Sequence, residues 1–303
     1  MASVKHNVEY LATLFGYKLA ELLTPRMADG LGAGLGSLAY RLLASRRRIA
    51  LDNLRQALGS ELPEEEIDSV AREAFRSVGR SMVDFMRFEK LGPEWVNRVV
   101  ESDARPVVER VMSEKKGLIV VTPHFGDWEL GGVWYAAQGF PCDILVGVQH
   151  NEKVDALANR MRTSIGASVI PVGAGLRSVF KSLQDNHILG IAPDQHAPSG
   201  RLILDFFGRP ASVAKGPALF SLRTGAPIFP FLLVRERYDR HLMKWAEPIY
   251  PQRTGDEEAD VQAITAKYMK FFEDQIRSRP GMWMWTHRRW KVDVNGNKTV
   301  TGA

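Results

Sequence analysis

The chain has 303 residues, of which 45% are apolar and 25% charged, a composition that excludes global disorder and accommodates one large α/β domain or two smaller ones. Its single cysteine, Cys142, excludes an intrachain disulfide framework and fits a reducing compartment. The formal net charge of +5 calls for an acidic partner, and with no recognition-helix, zinc-finger or single-strand-binding signature, nucleic acid ranks last behind anionic lipid, a phosphorylated substrate and an acidic carrier protein.

The first 45 residues predict membrane contact without a span. Only eight residues from Tyr10 to Tyr17 and eleven from Gly30 to Tyr40 pass without a charge, against the roughly 20 a spanning helix needs. Leu31, Leu35, Leu38 and Leu42 recur at helical spacing and are followed by Arg46-Arg47-Arg48, the pattern of an amphipathic helix lying on an anionic surface. The competing reading is a helix packed on the core through its small residues Gly32 and Gly36. Residues 49–90 also read as helical, with acidic residues from Glu61 to Glu66 after Ser60 and a stripe of Val70, Ala74, Val78 and Met82.

From Gly117 the texture changes to short apolar runs alternating with amphipathic stretches. The expected strands are 118–122, 143–148, 168–172, 188–192, 228–234 and 242–246, and the expected helices 128–138, 152–165, 175–184, 213–224 and 257–278. Such alternation implies helical crossovers between strands. The expected fold is therefore α/β, a mixed, largely parallel central sheet flanked by helices, with a helical membrane-associating cap at the N-terminus. The boundary is placed between a region 1–90 and an α/β catalytic domain 91–303. Cys142, after Pro141 and ahead of an apolar strand, reads as a buried inert thiol.

Ligands of open α/β sheets gather beyond the carboxyl ends of the strands. Four polar clusters fall there: Thr122-Pro123-His124, Gln149-His150-Asn151, Pro193-Asp194-Gln195-His196, and the stretch from Phe206 through Lys215 to Pro217 that leads into a helix. Imidazole can take a proton from an alcohol at neutral pH, and a carboxylate can orient it and stabilise its cation. Five positions along a regular helix would turn His124 and Glu129 apart, so they meet only if His124 sits in the turn after the strand and Glu129 in the first turns of the next helix. On this reading His124 is the catalytic base, Glu129 its partner, and Asp127 the cap of that helix. Asp194 anchors loop backbone or the His124 region.

Arg160, Arg162 and Arg177 have the forked donors that grip phosphate, and Lys215 precedes Gly216-Pro217 at an expected helix start that favours anions. Backbone N–H groups near Gly126 and Gly216 are the oxyanion candidates. The segment from Trp283 to Lys291 reads as partly core and partly interfacial. No cysteine/histidine spacing suggests zinc, so no metal and no cofactor is expected.

These clusters together resemble the bacterial lipid A late acyltransferases, the lauroyl/myristoyl transferase family within the lysophospholipid acyltransferase superfamily. The resemblance spans nearly the whole chain. It rests on His124-Phe-Gly-Asp-Trp-Glu129, the stretch from Asn151 to Arg162 with Gly166, Pro193-Asp194-Gln195, Phe206-Phe-Gly-Arg-Pro210, Arg223-Thr-Gly-Ala-Pro227 and Trp285-Thr-His-Arg-Arg-Trp-Lys291. It implies transfer of a fatty acyl group from a thioester, of acyl carrier protein or CoA, to a hydroxyl of an anionic membrane lipid at the cytoplasmic face of the inner membrane. It also implies His124 as base and Glu129 as its partner; Asn151, Asp194 and Gln195, from the strand-end clusters, are expected among the substrate-binding residues. The charged N-terminus departs from the anchor helix common in the lipid A enzymes. The mycobacterial phosphatidylinositol mannoside acyltransferases lack that anchor but usually carry an acid just before Asp-Phe-Phe-Gly, which Leu202-Ile-Leu-Asp205 does not supply. Rival readings are a thioester or lipid hydrolase using His124 to activate water, and a non-catalytic lipid-binding protein.

Overall fold

The structure, a computed structural model, describes residues 2–291 except 174 and 198. Four helices lead: α1 (Ala2–Leu22), α2 (Pro25–Leu42), α3 (Ala44–Leu58) and α4 (Glu64–Phe85). The acidic first turn of α4 is Glu64 to Glu66, preceded by Pro63 rather than by a serine cap. Then come α5 (Phe88–Val99, kinked at Gly92), β1 (Val100–Glu101), α6 (Arg105–Ser113), β2 (Leu118–Val121), α7 (Trp128–Ala137), β3 (Cys142–Val146), α8 (Glu152–Thr163), β4 (Ser168–Pro171), α9 (Leu176–Gln184) and β5 (Ile188–Ile191). A hairpin of β6 (Arg201–Phe206) and β7 (Arg209–Ala214) precedes α10 (Gly216–Thr224), β8 (Ile228–Arg237), β9 (Arg240–Trp245) and α11 (Glu257–Ser278).

The central sheet has the order β1-β9-β8-β2-β5-β3-β4. The run from β8 through β2, β5 and β3 to β4 is parallel, while β9 returns antiparallel to β8. The mixed, largely parallel sheet expected from the sequence is therefore present. The β2 run Leu118-Ile-Val-Val121 is buried throughout, as a strand covered by helices on both faces must be. One core cluster joins Leu54 and Phe75 of the N-terminal helices to Ile119, Leu189 and Leu232 of the sheet, so those helices share a core with it.

The packing reading of α2 holds on one face, and the leucines of the other face are exposed. Gly32 and Gly36 lie directly on α4, where a Cβ at Gly32 would sit 2.5 Å from the Arg80 Cα. Leu35, Leu38 and Leu42 point outward and are exposed. On α1 the stripe Val4, Val8, Leu11, Phe15 and Leu22 also faces out, with Phe15 71% exposed. No described helix is long and apolar enough to cross a membrane.

Two expectations fail locally. The helix expected at 213–224 starts at Gly216, because Val213 and Ala214 complete the β6–β7 hairpin, which was not anticipated. The C-terminal tryptophans are core, not interfacial: Trp283, Trp285 and Trp290 are all buried and pack around Phe206 and Phe207. Cys142 is buried as expected, and burial pushes its thiol up to about 12.

Candidate active site

The parallel register of β2 and β5 builds the centre of the site. Val121 pairs with Ile191, so His124 and Asp194, each three residues further on, leave the sheet side by side at its carboxyl edge. The His124 Nδ1 lies 2.7 Å from the Asp194 Oδ1, and the His124 backbone N–H donates to Oδ2 at 2.9 Å. The indole Nε1 of Trp283 donates to the same Oδ2 at 2.8 Å. Asp194 is 1% exposed and depends on these donors.

The electrostatics follow from this geometry. Burial pushes the Asp194 carboxyl up, but the His124 charge and the hydrogen bonds from His124 and Trp283 outweigh it and hold the group below its ordinary range. Asp194 is therefore an anion, which places the His124 proton on Nδ1 and leaves the Nε2 lone pair for an incoming group. Burial pulls the His124 pKa down, but the Asp194 charge and hydrogen bond, with a smaller push from Glu129, raise it above its usual value. The imidazole is 21% exposed, so it can be reached, and its ring is 5.5 Å from that of Trp128.

Main-chain bonds hold the turn carrying His124. The Gly126 N–H donates to the Met282 carbonyl at 2.9 Å, and the Met284 N–H donates to the His124 carbonyl at 3.0 Å. Gly126 has φ +52°, and a Cβ there would overlap the Leu233 carbonyl oxygen, so only glycine fits. Its N–H is thereby taken, which removes Gly126 as an oxyanion donor. Gly216 remains at the N-terminus of α10, at the same edge of the sheet, because α10 runs back to start the parallel strand β8. Lys215 stands one residue before it and is half-buried.

Glu129 occupies the first turn of α7, as expected, yet its carboxylate is gripped by Arg162 from α8. The Arg162 Nε donates to Oε2 at 2.9 Å, and a terminal nitrogen donates to Oε1 at 2.6 Å. The expectation that Glu129 fixes the imidazole tautomer is thus corrected. Asp194 is the carboxylate bonded to Nδ1, while Glu129 acts on His124 through charge. The other face of Arg162 lies 5.1 Å over the Phe85 ring, so the pair is packed as well as bonded.

Asp127 stands at the N-cap position of α7, but its side chain makes no capping bond. It turns inward to Arg235, whose guanidinium donates to Asp127 at 2.8 Å, Asp84 at 2.5 Å and Asp29 at 3.0 Å. His241, the cross-strand neighbour of Arg235 on β9, brings Nε2 to 2.8 Å from the other Asp127 oxygen. Burial favours protonation of Asp127, but Arg235 and His241 overcome it and hold the carboxyl well below the usual range. In the neighbouring Asp84, burial prevails and the pKa is raised. The cluster ties the HFGDWE turn to α2 and α4.

The other expected binding residues divide. Gln195 is half-buried beside Asp194, and Arg177 is exposed at the start of α9. Asn151 caps α8 by accepting from the Lys153 N–H at 3.2 Å and donates to the His6 carbonyl at 2.8 Å, so its side chain is engaged in holding α1 and α8. Arg160 pairs with Glu89 at 3.0 Å and lies over the Tyr17 ring. Trp283 and Arg235 were missed as site-building residues. Their partners lie 89 and 108 positions away in sequence, beyond any local pattern.

A partly exposed strand-end imidazole held by a buried carboxylate, on an α/β sheet capped by helices, is an arrangement suited to a group-transfer enzyme. Residues 2–292 match the family described as bacterial lipid A biosynthesis acyltransferase, and the chain belongs to that family; it is an acyltransferase. It is similar to the Mycolicibacterium smegmatis phosphatidylinositol mannoside acyltransferase, with 24% identity over 93% of this chain and 91% of the relative. The Escherichia coli lipid A biosynthesis lauroyltransferase is 25% identical over 88% of this chain and 86% of its own. The E. coli lipid A biosynthesis palmitoleoyltransferase is 26% identical over 89% and 87%.

Proposed function

We propose that the protein moves a fatty acyl chain from an acyl thioester to a hydroxyl of a glycolipid, with a lipid A precursor as acceptor, at the cytoplasmic face of a bacterial inner membrane. The observation that carries the mechanism is the His124–Asp194 pair. The His124 Nε2 takes the acceptor hydroxyl proton as that oxygen attacks the thioester carbonyl, and Asp194 stabilises the imidazolium. Collapse of the tetrahedral intermediate expels the thiolate, which takes from His124 the proton that came from the acceptor hydroxyl. The acyl group passes directly between substrates, with no acyl-enzyme and no metal or cofactor in the step. The N–H groups opening α10 at Gly216 suit the oxyanion, and Lys215, Arg177 and Gln195 suit an anionic acceptor or donor. The net charge of +5 suits acyl carrier protein as donor, with CoA as the alternative.

The exposed stripe on α1 and the leucines of α2 support seating on the membrane surface. Phe15→Glu combined with Leu11→Glu is expected to reduce sedimentation with anionic vesicles while leaving the far-UV spectrum unchanged, since both side chains are exposed. Unchanged sedimentation would remove this role.

A second acceptor, a phosphatidylinositol mannoside, is favoured by the similarity to the M. smegmatis enzyme over 93% of this chain. The experiment supplies purified protein with acyl carrier protein or CoA thioesters and each acceptor in turn, and follows products by mass spectrometry. An acylated lipid A precursor is the expected product. Acylated mannoside alone selects the second acceptor, and free fatty acid at the same rate with or without acceptor replaces transfer by hydrolysis.

A further inference from the structure

Outside the His124 site, a second constellation gathers two imidazoles and a carboxylate from distant parts of the chain. His6 and Glu9 lie three positions apart on one face of α1, and His150 comes from the loop between β3 and α8. The Nε2 atoms of His6 and His150 are 3.0 Å apart, with ring planes inclined at 61°. One potential ligand atom from each of the three residues lies within 4.8 Å of the others. We propose that His6, Glu9 and His150 form a zinc site that fastens α1 to the catalytic domain.

The geometry suits such an ion. Nitrogen ligands about 2.0–2.1 Å from a tetrahedral zinc stand roughly 3.3 Å apart, so the observed spacing needs only a small opening. Two imidazoles and one carboxylate form a donor set for a borderline divalent metal such as Zn²⁺, rather than for the all-oxygen coordination that Mg²⁺ and Ca²⁺ prefer. Water completes the fourth position.

The surroundings support the ligands. The Asn151 side-chain nitrogen donates to the His6 carbonyl at 2.8 Å and to the Glu9 Oε2 at 3.2 Å, docking the α1 turn and orienting the carboxylate from outside. Lys153 adds a bond to Asn7 at 2.8 Å. The other such grouping among the described residues, Asp84, Asp127 and His241, already holds the Arg235 guanidinium between its carboxylates and offers no comparable opening. The consequence is specific to α1. That helix carries the outward apolar stripe, and the ion would hold it against the loop beyond β3, at the sheet edge where His124 lies.

The test uses the full-length protein, stripped with a chelator and titrated with Zn²⁺ alone by calorimetry. One equivalent is expected to bind. His6→Ala, His150→Ala and Glu9→Gln should each weaken that equivalent by on the order of 100-fold, with far-UV spectra confirming the fold. Co²⁺ is expected to give the visible bands of a four-coordinate ion in the starting protein and to lose them in His150→Ala. Zn²⁺ should also slow tryptic cleavage at Lys18 in the starting protein but not in His150→Ala. Failure of the starting protein to bind an equivalent of Zn²⁺, or equal affinity in His150→Ala, overturns the site. Binding that leaves cleavage at Lys18 unchanged overturns the fastening role.

Discussion

Asp194 receives both the ring Nδ1 and the backbone N–H of His124, so one carboxylate fixes the position of the imidazole and the face it presents. Asp194→Asn keeps the shape but loses the charge that raises the His124 pKa. The expected loss in kcat is about 10²–10⁴-fold, comparable to that of His124→Ala. On the proposed mechanism the rate of the original enzyme depends on neutral His124, so it is expected to climb as pH rises through a pKa above the usual value of about 6.5. In Asp194→Asn that midpoint should move to lower pH. His287 is held at about 4 by burial and the neighbouring Lys291 charge, so it stays neutral throughout and does not contribute to the profile. A pH profile of residual activity with an unmoved midpoint would separate Asp194 from the titrating group.

Glu129 and Arg162 are expected to behave as one unit. Glu129→Gln leaves the guanidinium without its bidentate partner, and Arg162→Gln leaves the carboxylate without its donors. Each should lower activity, and the double variant should lose much less than the two losses combined, with a coupling of about 0.5–3 kcal/mol. Additive losses would show that Glu129 acts on the reaction independently of Arg162.

Arg235 is buried among three carboxylates, so removing it strands negative charge in the interior. Arg235→Met is expected to destabilise the fold by about 3–5 kcal/mol, measured by urea unfolding. Asp127 has its pKa held below the ordinary carboxylate value by Arg235 and His241. The stability it contributes is present above that ordinary value and is lost as pH falls through the folded one. In the variant, the midpoint of acid unfolding should move to higher pH.

Two glycines of α2 separate close approach from helix propensity. Gly32→Ala would force a methyl against the α4 backbone and should lower the Tm. Gly34→Ala meets nothing within 4 Å and should raise stability by about 0.5–1 kcal/mol. Equal effects of the two changes would argue against direct contact of α2 with α4.

Most of the sheet was legible because buried parallel strands advertise themselves as short apolar runs between helical stretches, as at 118–122 and 188–192. The β6–β7 hairpin was not. Its two-residue turn is Phe207-Gly208, with φ +59° and +70°, where local chemistry would call for Asn-Gly. Phe207 accepts this conformation because its N–H donates to Glu273 at 2.7 Å and its ring is held among Trp283, Trp285 and Trp290. The site was half legible for the same reason. The strand ends delivered His124 and Asp194 to one edge, and the sequence indicated Asp194 as an anchor of the His124 region. The spacing of His124 and Glu129 could not reveal that Arg162, 33 positions beyond Glu129, engages its carboxylate.

The bonds from Met282, Trp283 and Met284 to the His124 turn and to Asp194 set an order on the life of the molecule. While the ribosome is still adding those three residues, every strand of the central sheet has already been synthesised, yet His124 and Asp194 lack these bonds. Translation therefore lays down the framework before its braces, and losing the segment around Trp283 would strip the His124 turn and Asp194 of all three of these bonds.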